Sequence, residues 1–577
     1  MESLDSYYAV TDDSGEILAG AGIAGSVLKC LAVSETLRSS GMLVPLVSRI
    51  MSEHPGPLKV FTKPEYQAVF ESMGFRLLAS APLAVLLENG RGLEQYCSYL
   101  RSFRREGRTG VVVMNANPFT LGHQYLLQQA SSQVDHLFVI PVKEDLSAFP
   151  YAERRAMICA GVEGPTAEGN YFSGRCPKNQ FPSAIATPTR CHSERSEESN
   201  RITVLEGSEY VISAVTFPTY FLKDLSTAAQ TQMQLDVDLY TRWIAPSLGA
   251  SVRFVGSEPL DALTNRYNQL ITNSVVVPRM ELDGAPVSAS RVRSALSLGR
   301  FGEASALCPV SSRPYLLAAL AQRALLLELD TPLKPGLVCP GSSGAHSDMN
   351  YSVMAAGIRA LRPFWSQMAL APDAPSLIAL GIEAEEAMMA ATGGVNTHRG
   401  AIFCMGITLN ALGAWRKGID NEEVARKRLV EISQAILRYQ LKDSELAPRG
   451  ARAMAAEGYA PLWEDWLPYY RSGAGELRTL LRIMSTLDDT CVVHRVGKDR
   501  AEKVKKEAEA LLKEMPDQVG HDGYEAGHDG YEVGHDGYEA GHDELEKCCR
   551  RFAAERISPG GAADMLALTI FIHSILS

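Results

Sequence analysis

The spacing of apolar residues changes character near Cys308–Arg313, and that change constrains the fold more than any other feature of this chain. Upstream, short β-branched runs alternate with helical patterns. Downstream, Ser352–Leu361, Leu377–Ala391, Ala401–Trp415, Glu422–Tyr439, Glu476–Asp488 and Ala562–Leu576 all carry apolar residues at i, i+3 and i+4. Strand patterns nearly vanish there. At 577 residues the chain is too long for one hydrophobic core and should divide into about three or four domains. The expected architecture is multidomain: α/β over the first half, all-α over residues 309–577.

Within the first half, Val27–Val33 reads as a strand, Leu43–Met51 as a helix, and Glu65–Met73 as a helix ending at Gly74. Residues 1–108 on this pattern are similar to an acetyltransferase-like α/β domain. The phosphate turn of that family wants Arg/Gln-x-x-Gly-x-Gly/Ala, whereas this chain has Arg38-Ser-Ser-Gly41-Met-Leu43, and Leu43 would crowd a pyrophosphate. A structural or carrier-docking role for this domain is therefore the expectation. In residues 109–308, the strand Gly110–Met114, the loop Asn115–Thr120, a helix from Gly122 and the strand Leu137–Val142 complete a βαβ unit of a parallel, Rossmann-like sheet. Val252–Val255 forms a further strand, and a helix over Ser290–Leu298 closes the domain.

Two segments break these patterns. Residues 163–201 are rich in Pro, Ser, Gly and charge, and such low hydrophobicity does not offset chain entropy, so a disordered insertion is expected. A metal site from Cys176, Cys191 and His192 is the sharper alternative there. Around 520–543, Gly-His-Asp-Gly-Tyr-Glu repeats every seven residues, with two glycines per copy and no a/d pair, which argues against a coiled coil. His521, His528, His535 and His542 could bind metal weakly; a tandem expansion in a flexible loop is the plainer account.

The formal net charge of −11 argues against nucleic acid as the main partner. Eleven cysteines without CxxC pairs fit reduced thiols in a cytoplasm. The start lacks the basic and apolar regions of a signal peptide. The longest apolar run, Met565–Leu576, is too short to cross a bilayer, so no membrane partner is expected.

Two constellations carry chemistry. In Asn115-Ala-Asn117-Pro-Phe-Thr120-Leu-Gly122-His123, a strand ends and a helix begins. Thr120 and His123 can donate to a triphosphate from one turn, Gly122 permits close backbone approach, and the helix N-terminus favours anionic oxygens. Val287-Ser288-Ala289-Ser290-Arg291-Val292-Arg293 opens a second helix with hydroxyls and a terminal guanidinium. Together these resemble the T/H-x-G-H and I-S-S/T-S/T-x-I/V-R elements of the nucleotidyltransferase superfamily.

Between them lie Lys143-Glu-Asp145, Ser147, Phe149, Arg154-Arg155, Ser208-Glu-Tyr210, Ser213, Thr216 to Lys223 and Gly256-Ser-Glu258-Pro259, which are similar to citrate lyase ligase. That resemblance implies activation of acetate by ATP to acetyl-AMP, with release of pyrophosphate. The acetyl group then passes to the prosthetic-group thiol on the citrate lyase acyl carrier protein. It implies His123 and Thr120 as catalytic, Asn117, Gly122, Ser288, Ser290 and Arg293 as nucleotide or phosphate contacts, and Mg²⁺ sharing the charge. Lys223 is a further candidate cation.

The second constellation comprises Lys334-Pro-Gly336-Leu-Val338, Gly344-Ala-His346-Ser-Asp348-Met349, Gly393-Gly-Val-Asn396-Thr397-His398-Arg399, Leu487-Asp-Asp489-Thr490 to His494-Arg495, and Pro559-Gly560-Gly561-Ala-Ala-Asp564. In that order the motifs resemble triphosphoribosyl-dephospho-CoA synthase, which joins 3′-dephospho-CoA to the ribose of ATP and releases adenine. The resemblance implies Lys334, Asn396, Thr397, His398, Arg399, Arg495, Gly560 and Gly561 as phosphate contacts. It implies Asp348, Asp489 and Asp564 as Mg²⁺ ligands, with Asp489 also catalytic. Met454 stands where that family usually has glutamate, and its T-H-G-E stretch has no counterpart here.

Both constellations point at one chemical object, the CoA-like thiol of citrate lyase: one builds its precursor and the other acetylates it. The expectation is a bifunctional ligase and transferase. The alternatives are an equivalent pair serving a related carrier-dependent lyase or decarboxylase, and an inactive carrier-binding scaffold.

Overall fold

The computed structural model describes residues 4–37, 41–54, 56–143, 147–163, 174–175, 201–213, 216, 226–258, 261–413, 422–440, 451–515 and 536–577. Arg38, Glu144, Asp145, Cys176, Cys191, His192, Pro259, Lys223, His521, His528 and His535 lie outside them. The chain divides into two compact units, Met1–Ala289 and Ser290–Ser577. This differs from a division at 308/309. Phe301 and Ala304 of the short helix Phe301–Ala306 are buried, and that helix packs on Arg313–Asp330 and Gly560–Leu576 within the helical unit.

The first unit contains two six-stranded sheets. One comprises β1 (Ser6–Thr11), β2 (Ile17–Ala24), β3 (Val27–Val33), β4 (Leu58–Thr62), β5 (Phe75–Ser80) and β6 (Val85–Asn89), in the order β1-β2-β3-β4-β6-β5. Only β3 and β4 pair in parallel. The helix Leu43–Glu53 turns Leu46, Val47 and Ile50 onto this sheet, against Leu58, Phe70 and Leu87. The expected helix over Glu65–Met73 is a 3-10 turn Pro64–Tyr66 followed by the helix Gln67–Ser72, because Pro64 sets the first turn.

A charged network is enclosed here. Lys59 on β4 is fully buried and lies 2.7 Å from Glu209 and 3.7 Å from Glu88, its cross-strand partner on β6. Tyr210 donates its hydroxyl to Glu88, and the Lys59 ammonium sits 4.9 Å from the Tyr210 ring. Removing the cation strands a buried carboxylate. Lys59→Met should cost about 3–5 kcal/mol, read as a fall in melting temperature; a variant that melts with the parent would refute this account of the cluster.

The second sheet comprises β7 (Thr109–Met114), β8 (His136–Pro141), β9 (Gly174–Arg175), β10 (Ile202–Val204), β11 (Val252–Gly256) and β12 (Ser274–Val277), in the order β12-β11-β7-β8-β10-β9. Every pairing in it is parallel, so each strand needs a crossover to reach its neighbour. The helix Leu121–Ser131 makes the crossover from β7 to β8. Val111, Val112, Phe138, Val139 and Ile140 are buried, as the near-continuous apolar runs of such strands require. A small hairpin, β13 (Glu281–Leu282) and β14 (Ala285–Pro286), precedes the second phosphate motif. Gly174 and Arg175, inside the segment expected to be disordered, pair with β10.

The second unit is helical. Gly560–Leu576 is apolar on every side, and Met565 to Ile572 are all buried. It packs on Arg313–Asp330, Arg399–Gly413 and Gly475–Thr486. Tyr351–Leu370, Ala374–Ala391, Glu422–Gln440 and Lys498–Glu514 complete the main helices around them. Gly475–Thr486 ends before the expected Asp488, because Leu487 is extended and Asp489 caps the next helix, Thr490–Val496. Asp536–Ala554 takes in the last residues of the expected loop 520–543; its buried seam of Leu545, Cys548 and Phe552 supports the helix. Among the described residues no helix is long and apolar enough to cross a membrane.

Candidate functional site

In the first unit, β7 ends at Met114 and the loop reverses through Ala116, at φ 48, and a cis Asn117–Pro118 bond. Arg154, fully buried, fixes that loop: its guanidinium donates to the carbonyls of Asn115, Val142 and Phe149. Asn117 Oδ1 accepts from the Phe149 N–H at 3.0 Å, so this side chain holds the loop to its neighbour. The sequence shows Arg154 only as half of an Arg-Arg pair. Its role becomes visible once three carbonyls are seen around it.

Thr120 and His123 form a capping box at the start of Leu121–Ser131. His123 Nδ1 accepts from the Thr120 N–H at 3.0 Å, which places the ring proton on Nε2. Burial, with the Arg279 cation adding to it, pushes the His123 pKa down to about 4. The ring is therefore neutral near pH 7 and offers Nε2–H as a donor. Phe119 stacks on it at a centroid distance of 5.8 Å.

A Cβ on Gly122 would lie 3.2 Å from the Val287 carbonyl, so glycine lets the backbone of Val287 approach this helix start closely. Ser288 follows Val287 directly. Ser290 and Arg293, which open the second unit, lie on the helix Ala289–Ser297, where the guanidinium donates to Ser290 Oγ at 3.1 Å. Sequence reasoning missed Arg279: it pairs with Glu258, its N–H donates to Ser257 Oγ at 3.1 Å, and its charge reaches His123.

The sign of the His123 effect on stability is fixed. Its folded pKa, about 4, lies below the ordinary value of 6.5. The stability it contributes is present above about 6.5 and lost as pH falls towards 4. Thermal melts of the parent and of His123→Asn should diverge above pH 6.5 and converge near pH 4; a constant difference across that window would refute the neutral buried ring.

In the second unit, the Lys-Pro-Gly loop, the Asn396–Arg399 loop, the Asp489 turn and the Pro559–Asp564 helix start come together. Lys334 is buried, and its ammonium contacts both the backbone carbonyl and Oε1 of Glu328 at 2.5 Å. Glu328, near the end of Arg313–Asp330, belongs to none of the sequence motifs, although its charge also reaches Asp564. Burial, Glu328 and Asp489 together hold the Asp564 carboxyl well above the usual carboxylate range. A Cβ on Gly400 would fall 1.9 Å from Asp564 Oδ2, so only glycine fits there.

Asp489 Oδ1 accepts from the N–H groups of Cys491 and Val492, and Oδ2 from Ala562. It joins two chain segments distant in sequence. His398 is buried, with Nδ1 2.8 Å from Thr397 Oγ1, while Asn396 Oδ1 caps the next helix through the Arg399 N–H. Arg399 itself pairs with Glu385. His346 bonds Ser558 at 2.8 Å, its pKa lowered by burial and by Arg495, which places Arg495 beside this cluster. Gly560 and Gly561 begin the last helix, with Gly561 close against Asp489.

Asp348 is exposed and lies 3.9 Å from His346 Nδ1. Among the described residues no group of three or more His, Cys, Asp or Glu is arranged to hold a metal ion. Of the three expected aspartates, Asp489 lies within electrostatic reach of Asp564. Glu328 and Asp489 each act electrostatically on Asp564.

Glycines thus stand at helix starts in both units, Gly122 in Leu121–Ser131 and Gly560 with Gly561 in Gly560–Leu576. The citrate lyase ligase C-terminal domain model matches residues 109–167 and 189–316, and the ATP:dephospho-CoA triphosphoribosyl transferase model matches 314–577. Similar curated proteins include the [citrate [pro-3S]-lyase] ligase of Escherichia coli K12, 35% identical over 54% of this chain and 85% of that protein. The same-named protein of Haemophilus influenzae is 33% identical over 55% of this chain and 90% of its own length. The "Probable 2-(5''-triphosphoribosyl)-3'-dephosphocoenzyme-A synthase" of Stutzerimonas stutzeri is 35% identical over 45% of this chain and 91% of that protein. The chain belongs to the citrate lyase ligase family through its N-terminal part and to the triphosphoribosyl-dephospho-CoA synthase family through its C-terminal part.

Proposed function

We propose that this chain is a bifunctional citrate lyase maturation enzyme working in the cytoplasm. Its N-terminal part acetylates the prosthetic-group thiol of the citrate lyase acyl carrier protein with acetate and ATP, through acetyl-AMP, releasing AMP and pyrophosphate. Its C-terminal part makes 2′-(5″-triphosphoribosyl)-3′-dephospho-CoA from ATP and 3′-dephospho-CoA, releasing adenine. The observation that carries this reading is the presence of both motif sets in a chain that covers most of the length of both kinds of relative.

In the ligase reaction, the neutral His123 ring donates from Nε2 to the α-phosphoryl oxygens as charge builds there. The Thr120 hydroxyl orients that ring, and Ser288, Ser290 and Arg293 hold the departing pyrophosphate. Residues 109–308 form a Rossmann-like nucleotidyltransferase domain on this reading, residues 1–108 an acetyltransferase-like domain, and residues 309–577 the synthase.

In the synthase reaction, Lys334, the Asn396–Arg399 loop, Arg495 and the Gly560–Gly561 helix start surround the triphosphate. Mg²⁺ binds characteristically through one or two carboxylates plus substrate phosphates, and Asp564 with Glu328 beside it suits that role. The metal would supply charge neutralisation. Asp489 keeps the surrounding loops together.

The test is incubation with ATP and dephospho-CoA, and separately with ATP, acetate and the thiol-bearing carrier. Mass spectrometry should find adenine with the triphosphoribosylated product in the first and an acetylated carrier in the second. Absence of either product from well-folded protein would refute that half.

A further inference from the structure

His398 has one ring nitrogen fully accounted for and one that is not. Nδ1 lies 2.8 Å from Thr397 Oγ1, and the His398 N–H meets Met388 Sδ. A Cβ on Gly357 would sit 2.4 Å from Thr397 Oγ1 and 3.2 Å from His398 Nδ1, so the helix Tyr351–Leu370 braces this pair. Nε2 is buried and has no hydrogen-bond partner among the described residues, in a side chain that is only 4% exposed. A buried polar atom of this kind is destabilising unless something bonds it. It lies within electrostatic reach of Lys334, whose ammonium contacts Glu328, the carboxylate neighbouring Asp564. The orphaned atom therefore belongs to the synthase cluster.

We propose that His398 is a catalytic residue of adenine displacement, its Nε2 accepting the proton of the attacking ribose hydroxyl. This rests on the assignment of the synthase reaction to the C-terminal part. In the tautomer whose Nδ1–H donates to Thr397 Oγ1, which the proposal requires, Nε2 carries the lone pair. As the oxygen of dephospho-CoA bonds to C1′ of the ATP ribose, the bond from C1′ to adenine breaks and its electron pair leaves with the base. The hydroxyl proton passes to Nε2 and is then returned to the departing adenine. Nothing is oxidised or reduced, and the triphosphate stays on the transferred sugar.

Burial and the Lys334 cation push the free His398 pKa down to about 4, so the ring awaits substrate in the neutral form. An anionic triphosphate beside Lys334 offsets that cation and makes Nε2 more basic. The base is thus strengthened when the correct ligand is bound.

A phosphate-contacting role for His398 makes a different prediction, and His398→Gln separates the two. Glutamine can still donate a hydrogen bond from near the Nε2 position but does not accept a proton. With the full chain, ATP and dephospho-CoA, kcat for adenine release should fall roughly 10²-fold or more, while KM for both substrates changes little. Wild-type kcat in this variant, or a loss expressed in KM alone, would overturn the proposal. Thr397→Val serves if the glutamine variant does not fold: losing the acceptor for Nδ1–H should lower kcat, and a wild-type kcat there would equally overturn it. A parent enzyme that releases no adenine would instead remove the synthase assignment itself.

Discussion

Replacing His123 with alanine abolishes acetate-dependent ATP–pyrophosphate exchange to within roughly one part in 10²–10³ of the parent rate, the usual cost of one donor to a developing charge. The expectation follows from the capping box. The Thr120 N–H occupies Nδ1 at 3.0 Å, so Nε2 alone carries the ring proton. Thr120 itself is buried, and Phe119 stacks on the ring, so its plane is held by neighbours that alanine does not disturb. The fold should survive, and adenine release by the C-terminal part should be unaffected. Exchange that continues at near the parent rate in a folded His123→Ala protein would end the assignment of this turn to adenylation.

Asp489→Asn is expected to have an equally large effect on the other reaction. The sequence alone suggests a metal ligand at this position. In the structure the carboxylate clamps backbone from two segments, with Oδ1 accepting from Cys491 and Val492 and Oδ2 from Ala562. An Asn places a donating Nδ2 against one of these N–H groups, so one contact becomes a repulsion. The turn at 487–490 then parts from the helix start carrying Gly560, Gly561 and Asp564. Misplacement of catalytic groups by about 1 Å costs roughly 10²-fold, and adenine release should fall at least that far while acetate activation persists. Unchanged adenine release would show that the two segments stay aligned without this clamp.

Individual elements differ in how legible they are in the sequence. Residues 27–33 pack as a strand because alternating apolar residues face a sheet, and that alternation is written locally. Gly560–Leu576 is recognisable as buried because no polar face interrupts it. The unit boundary is less accessible, since Phe301–Ala306 is short and its allegiance depends on which core buries Phe301. In the repeats, helix begins at Asp536, where glycine-rich sequence suggests loop but the downstream apolar seam supports helix.

Sequence by itself carried the resemblance to the two families, because their motifs are short runs of glycine, hydroxyl and cationic residues at fixed local spacing. Thr120 with His123, Asn396 to Arg399 and Gly560-Gly561 are all such local statements. Tertiary structure decided which charges face which. That Lys334 contacts Glu328, that Glu328 and Asp489 together raise Asp564, that Arg279 acts on His123, and that Arg154 gathers three carbonyls are consequences of through-space proximity. Electrostatic and hydrogen-bond energies depend on distance and burial, and the chain encodes neither until its helices and strands have packed.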